Sequence, residues 1–213
     1  MRREINPTSA RIYHAVKRQL LGGAFRPGEH LDAAQLAEHL AASITPVRAA
    51  LHRLAGEQLV DARAGAGFHA PAMTEVSLRD LYAWNGYVLQ LACQISPQDP
   101  AAAVEGPDPA AAAGAQRLDE RTATDRLFKA LAEQSGNEQC AAAIDGLNDR
   151  LYFARLLEAR LFADLDQELA DLTDVLANQR PADIRHALTV YHRRRVRAAP
   201  DIVQLMHRVR ASV

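Results

Sequence analysis

Thr45, Arg48, His52 and Arg53 lie on one side of a short segment whose other side is apolar, and each carries a hydrogen-bonding or cationic group. The apolar residues Val47, Ala50, Leu51 and Leu54 fall at i, i+3, i+4 and i+7, the spacing of a single buried helix face. Thr45-Pro46 predicts the start of that helix, with Thr45 as the N-cap and Pro46 at the first helical position. A guanidinium held out to solvent on such a helix, as Arg48 would be, can grip a phosphate or the O6/N7 edge of a guanine bidentately. The Thr45 hydroxyl can donate to a phosphate. These residue types suit recognition of a nucleic acid, not the making or breaking of bonds.

The elements needed to present that helix are legible around it. Ser9 to Leu21 carries Ile12, Ala15, Val16 and Leu20 at helical spacing and ends at Gly22-Gly23. After the turn Phe25-Arg26-Pro27-Gly28, Asp32 is placed to cap a second helix bearing Leu36, Ala37 and Leu40. Beyond the third helix, residues 59–63 and 68–70 flank Ala64-Gly65-Ala66-Gly67 and predict a β-hairpin with a glycine-rich tip. Gly65 and Gly67 would let backbone approach a partner closely, with Arg63 and His69 beside them. Three helices and a hairpin within about 70 residues are the pattern of a winged helix-turn-helix.

The remainder predicts helices almost throughout: Glu75 to Cys93, about 115–134, 138–178 (with a break), 182–198 and 201–211. Residues 96–114 are rich in Pro, Ala and Gly and predict a loose connection. The fold class expected is mainly α, with a winged helix-turn-helix over 1–72 and an all-helical bundle over 73–213. Strands do not alternate with helices, which argues against a Rossmann or barrel enzyme. The net charge of −1 conceals a segregation: +3 over residues 1–72, −10 over 73–178 and +6 over 179–213. A basic head on an acidic body fits a DNA-binding domain joined to one that does not bind DNA. The cysteines, Cys93 and Cys140, have no metal-type spacing, and no apolar run is long enough for a leader or a membrane span. A cytoplasmic protein without a membrane partner is the expectation.

Residues 20–71 resemble the DNA-binding domain of the GntR family. The stretches that carry the resemblance are LLGGAFRPGEHLDAAQLAEHLAASITPVRAALHRLAGEQLV and the hairpin that follows. They track a family pattern of a small-residue turn, S-R-T-P-V-R-E-A-L, and an L-x-x-x-G-L-V strand entry. The resemblance implies DNA contacts from Ser43, Thr45 and Arg48 and a wing tip at Gly65; His52, Arg63 and Gly67 join them from the reading of the residues above. Ile44 and Ala34 depart from the pattern, standing where relatives carry DNA-contacting arginines. The operator of a relative therefore does not transfer.

Residues 75–198 resemble the FCD type of C-terminal domain, a helical bundle around a central cavity. The segment DRLFKALAEQSGN from Asp125 to Asn137 matches D-x-x-F-H-x-A-L-A-E-x-S-G-N. In that family an Asp, the His four residues on and two later histidines bind a divalent metal such as Zn, Ni or Mn. Here Lys129 takes the first His position and Leu172 the second, while His192 fits the third. A second register would use His186 and His207 with Asp125. The resemblance thus implies an effector cavity at Asp125, Lys129, Leu172 and His192 with a degenerate metal site and no cofactor. Lys129 is expected to pair with Asp125 there, or to hold a small anionic effector such as a carboxylate. Tyr152, Tyr191 and Arg155 are further candidates to line the cavity, and the basic run Arg193–Arg197 suggests a solvated helix end.

Together these imply a DNA-binding transcription regulator, a repressor, working as a homodimer on double-stranded operator DNA and answering to a small molecule. Two other readings stand beside it. One is an effector-blind regulator whose helical domain only dimerises. The other is a metal-dependent helical-bundle enzyme using Asp125 with His186, His192 or His207. No H-E-x-x-H, phosphate-binding glycine loop or nucleophile–base pattern supports the enzyme, and none is expected.

Overall fold

Asp32 sits in extended backbone and its carboxylate accepts from the Ala34 and Gln35 amides at 2.7 and 3.2 Å, which starts a helix at the next residue. That helix is the second of three in the N-terminal part of the computed structural model, which describes residues 7–95, 122–178 and 180–209. The order there is α1 (Pro7–Leu21), β1 (His30–Leu31), α2 (Ala33–His39), α3 (Ile44–Gly56), β2 (Asp61–Arg63) and β3 (Gly67–His69). The apolar faces of the helices meet in one core: Ile12 and Val16 from α1, Leu36 from α2, and Val47, Leu51 and Leu54 from α3, all buried. The sheet closes it from below. Its antiparallel order is β1-β3-β2, with His30 and Asp61 both opposite His69, and Leu31 and Ala62 opposite Phe68. Side chains alternate across strands, so Leu31 and Phe68 enter the core while His30, Asp61 and Arg63 stay on the outer face.

Polar groups brace α1 against α3. The Tyr13 hydroxyl donates to Glu57 at 2.7 Å, Lys17 and Arg53 each reach that carboxylate at 3.2 Å, and the Arg53 guanidinium lies 3.8 Å over the Tyr13 ring. Arg53, able by its position on the helix to face a nucleic acid, is thus engaged in holding the helices together.

The rest consists of α4 (Glu75–Ile95), α5 (Ala123–Gln134), α6 (Glu138–Glu158), α7 (Leu165–Asn178) and α8 (Pro181–Arg208). Thr122 and Asp125 form a reciprocal capping box at the start of α5, and Asn137 caps α6. Helices α4, α5 and α6 pack on one another, and α8 joins α4 through Gln90 and Thr189 at 3.1 Å. The chain divides into two compact units, Met1–Thr74 with Val203–Val213, and Glu75–Ile202; the end of α8 thus groups with the first unit. Among the described residues no helix is long and apolar enough to cross a membrane.

Several local expectations are corrected. The third helix starts at Ile44 with Ser43 as N-cap, so Pro46 is its third residue, not its first. Every amide of the first turn lacks an intrahelical acceptor, so proline costs no hydrogen bond there. The break at 199–200 is absent: Pro200 lies inside α8, whose flanking Ala199, Ile202 and Val203 are buried. Burial of that face outweighs the one hydrogen bond the proline removes. The break within 138–178 falls at 159–164. Strand β1 was invisible in the sequence because two residues cannot show an alternation. The connection 96–114 and the helix start near 115 lie outside the described residues.

Leu54 is fully buried in the first core. Leu54→Ala should cost roughly 2–5 kcal/mol, read as a lowered urea midpoint with an unchanged slope.

Candidate nucleic-acid interface and buried polar centre

The buried stripe of α3 leaves Ser43, Thr45, Arg48 and His52 exposed, and the wing leaves Arg63, Gly65 and Gly67 exposed. Ser43 makes no side-chain capping bond, so its hydroxyl is uncommitted at the helix tip. Arg48 has no hydrogen-bond or ion-pair partner among the described residues, whereas Arg63 meets only Asp61, at 3.7 Å and in solvent, where such a pair is weak. The His52 ring packs edge-on against Phe68 with centroids 4.8 Å apart, which ties α3 to the wing. First-turn amides of α3 face outward beside these groups and add partial positive charge.

The two wing glycines differ. Both have positive φ, +74° at Gly65 and +79° at Gly67, as the tight turn requires. A Cβ on Gly65 would meet open space, but one on Gly67 would lie 3.0 Å from the His30 imidazole. His30 in turn packs edge-on against His69, centroids 5.1 Å apart. Desolvation leads in lowering the His69 pKa, and the charge of Arg63 adds to it. His30 gave no sequence signal, because only the pairing of β1 with β3 brings it there.

Residues 8–69 match the profile described as bacterial regulatory proteins of the gntR family. The Nta operon transcriptional regulator of Aminobacter aminovorans is 29% identical over 167 residues, covering 73% of this chain and 77% of its own. The uncharacterized HTH-type regulator YdhC of Bacillus subtilis (strain 168) is 23% identical, covering 71% of each chain. Residues 8–69 are therefore similar to the DNA-binding domain of GntR-family regulators. The chain is a DNA-binding transcriptional regulator and not an enzyme. Its fold is shared with E. coli McbR/YncC (TM-score 0.63, 24% identity, 92% of this chain and 99% of that one). A GntR transcriptional regulator from Rhodococcus sp. RHA1 also shares it (TM-score 0.69, 20% identity, 93% and 99%).

The second unit encloses a chain of buried polar groups. Asp125 is fully buried on α5, and its carboxylate meets the Arg155 guanidinium from α6 and the Thr122 hydroxyl at 2.7 Å. Arg155 also donates to Asn148 Oδ1 at 2.8 Å and, at 3.4 Å, to Asn85 Oδ1 on α4. Asn148 closes the loop by donating to the Asp125 carbonyl at 3.0 Å. Desolvation works against the Arg155 charge, but Asp125 beside it outweighs that and raises its pKa. His192, from α8, stacks on Phe128 and fills the space over Gly86, where a Cβ would lie 3.0 Å from the ring.

The His192 Nδ1 is 2.7 Å from the Leu188 carbonyl and Nε2 is 2.9 Å from Asn85 Oδ1. Burial, assisted by Arg155 and Arg195, pushes its pKa down to about 3, so the ring is neutral at pH 7. One N–H then faces two oxygens; turning the Asn85 amide end for end would relieve this only by setting its Nδ2 against the Arg155 guanidinium, which donates to Oδ1 at 3.4 Å.

A second network lies alongside. Tyr82 donates to Glu158 at 2.6 Å, and Arg195 reaches Glu158 at 3.0 Å while holding Glu168 of α7 with two bonds at 3.0 and 2.7 Å. The expected solvated end at Arg193–Arg197 is therefore corrected at its centre. Arg195 is fully buried and stacks 3.4 Å over Tyr191.

The expected pairing of Lys129 with Asp125 is also overturned. Lys129 is 40% exposed and reaches Asp145 at 3.3 Å and Glu133 at 3.8 Å. Arg155 supplies the buried cation, because its long side chain crosses from the neighbouring helix. Leu172 is buried but offers no ligand atom. The metal that FCD-type domains hold does not fit these residues: a guanidinium occupies the carboxylate, and both imidazole nitrogens face protein oxygens. The alternative set fails too, since His186 and His207 are exposed while Asp125 is buried. Among the described residues no cluster of three His, Cys, Asp or Glu could hold a metal ion.

Arg155→Met should cost roughly 3–5 kcal/mol, because it strands the Asp125 carboxylate in the interior. Asp125→Leu combined with it should recover most of that loss, as a denaturation double-mutant cycle will show. Acid should destabilise the second unit through His192. An imidazole free in the unfolded chain takes its proton near pH 6.5 and the folded one near 3, so the stability is present above 6.5 and is lost as pH falls toward 3. The loss is on the order of 4 kcal/mol, and His192→Gln should flatten the slope of stability against pH across that window.

Proposed function

We propose that the chain is a dimeric repressor that seats α3 in the major groove of operator DNA and lays the wing on the adjacent backbone. Arg48 carries this reading. It is an exposed guanidinium without a partner among the described residues, on the outward face of a helix whose opposite face is buried. Ser43 and Thr45 add hydroxyls for phosphates at the helix tip, His52 extends the same face, and Arg63, Gly65 and Gly67 form the wing contact. A dimer seated on a promoter blocks the site to polymerase, which makes repression the simplest consequence of binding. Two-fold symmetry doubles the few base pairs that one such helix reads. Val76, Trp84, Tyr87 and Leu91 form an exposed apolar stripe along one side of α4, a suitable face for the second copy.

In this reading the second unit is an FCD-type domain that takes a small carboxylate without a metal. The support is a pair of buried donors: Arg155 Nε and Asn85 Nδ2 have no hydrogen-bond partner among the described residues. An entering carboxylate would compete with Asp125 for the guanidinium and disturb the junction of α4, α5, α6 and α8. A second reading, that this unit is an effector-blind dimer scaffold, is favoured by the same ion pair, since Asp125 and Arg155 already neutralise each other.

Selection of genomic fragments by the purified protein will give the operator. Arg48→Ala should then weaken binding to it by about 1–3 kcal/mol if the contact is bidentate to a base, and by less if it is to phosphate alone. Unchanged affinity in a folded variant would remove Arg48 from the interface, and a monomer by light scattering with and without operator would remove the dimer.

A further inference from the structure

Ile44 is the first residue of α3 and is 47% exposed, although it is a large β-branched apolar side chain. Its neighbours at the helix tip are the uncapped Ser43 hydroxyl, the exposed Thr45 and, one turn on, the unpartnered Arg48. At i and i+4 the side chains of Ile44 and Arg48 lie one above the other along the helix. The fold does not need Ile44 there: the core face of α3 is complete with Val47, Ala50, Leu51 and Leu54. Among the described residues the other exposed large apolar side chains lie in the second unit, whereas Ile44 stands among hydroxyls and a guanidinium on the face that the proposed function turns to DNA.

We infer that Ile44 reads a thymine, packing its side chain against the C5-methyl group in the major groove, and so sets base preference beside the contact made by Arg48. This rests on the DNA-binding reading above. The chemistry is selective. Of the four bases only thymine presents a methyl group on the major-groove edge, and an aliphatic side chain offers no hydrogen bond to a guanine, a cytosine or an adenine. An arginine at this position would instead prefer a guanine edge, so the Ile44 side chain moves the preferred pair from G·C to T·A. Water leaves both apolar surfaces on contact, and Ile44 is already ordered by its place in the first turn, so little conformational freedom is lost.

The test uses the full-length protein and the operator obtained from a random duplex library. Each thymine of the half-site is replaced in turn by uracil, which removes the methyl group and leaves all hydrogen-bonding groups in place. Wild-type affinity should fall about fourfold at one thymine per half-site, the effect of one buried methyl-sized group, and more when both half-sites are changed. The Ile44→Ala variant should bind the thymine operator more weakly and be indifferent to uracil at that position. Ile44→Arg, put through the same library, should enrich guanine where the wild type enriches thymine. Wild-type affinity insensitive to uracil throughout the half-site, or equal uracil sensitivity in Ile44→Ala, would overturn the inference while leaving DNA binding intact. A wild-type protein that enriches no sequence would overturn the DNA-binding reading and this one with it. Because Ile44 is exposed, both variants should unfold at the wild-type urea midpoint, so a change in base preference reports contact with DNA and not loss of the helix.

Discussion

A carboxylate with no exposed surface has to be neutralised from within the protein, and in the second unit Asp125 meets that requirement through Arg155. The energetic consequence is asymmetric: the pair itself adds little, but either partner alone would be a buried charge. Much of the local architecture answers to it. Thr122 shares the carboxylate and thereby caps α5, Asn148 ties the guanidinium back to the Asp125 carbonyl, and Asn85 brings in α4. His192 reaches the same amide from α8, across a glycine that leaves room for its ring. Four helices are thus aligned by polar groups that have few alternative partners, which gives the bundle a specific register where apolar packing alone would tolerate sliding.

The neighbouring network applies the same constraint at the C-terminal residue of α6, three residues beyond Arg155. Glu158 is buried, and it is satisfied by Tyr82 and Arg195 together, with Glu168 drawn in from α7. Burial and the Glu158 charge raise the Tyr82 pKa, so the phenol keeps its proton and remains a donor. Three of the elements held by the first centre are held again by the second. A ligand that displaced one contact would be felt on more than one helix.

The first unit follows the opposite logic. Its core is almost wholly apolar, and its polar brace at Tyr13, Lys17, Arg53 and Glu57 is peripheral. Rigid burial of one face of α3 fixes the positions of the groups on the other face. Arg53 shows the limit of reading that face from helical spacing alone: it sits off the apolar stripe, yet its guanidinium is committed to Tyr13 and Glu57.

The sequence by itself determined the three helices and hairpin of the DNA-binding unit, the exposed Thr45–Arg48–His52 face and the helical character of the rest. Those properties are written in periodicity, capping residues and the identity of single positions, all of which are local. Tertiary structure alone decided which cation meets Asp125, because Lys129 one turn away and Arg155 thirty residues away are equally plausible on charge, and only the packing of α6 on α5 separates them. It decided that Arg195 is buried while Arg193 beside it is not, since one residue of a basic run turns inward when a second helix brings carboxylates to meet it. It also decided that His30 props the wing glycine, a contact made by a two-residue strand too short to announce itself. Charge pairing and strand pairing act across sequence separation, and a linear pattern holds no record of which distant partner arrives.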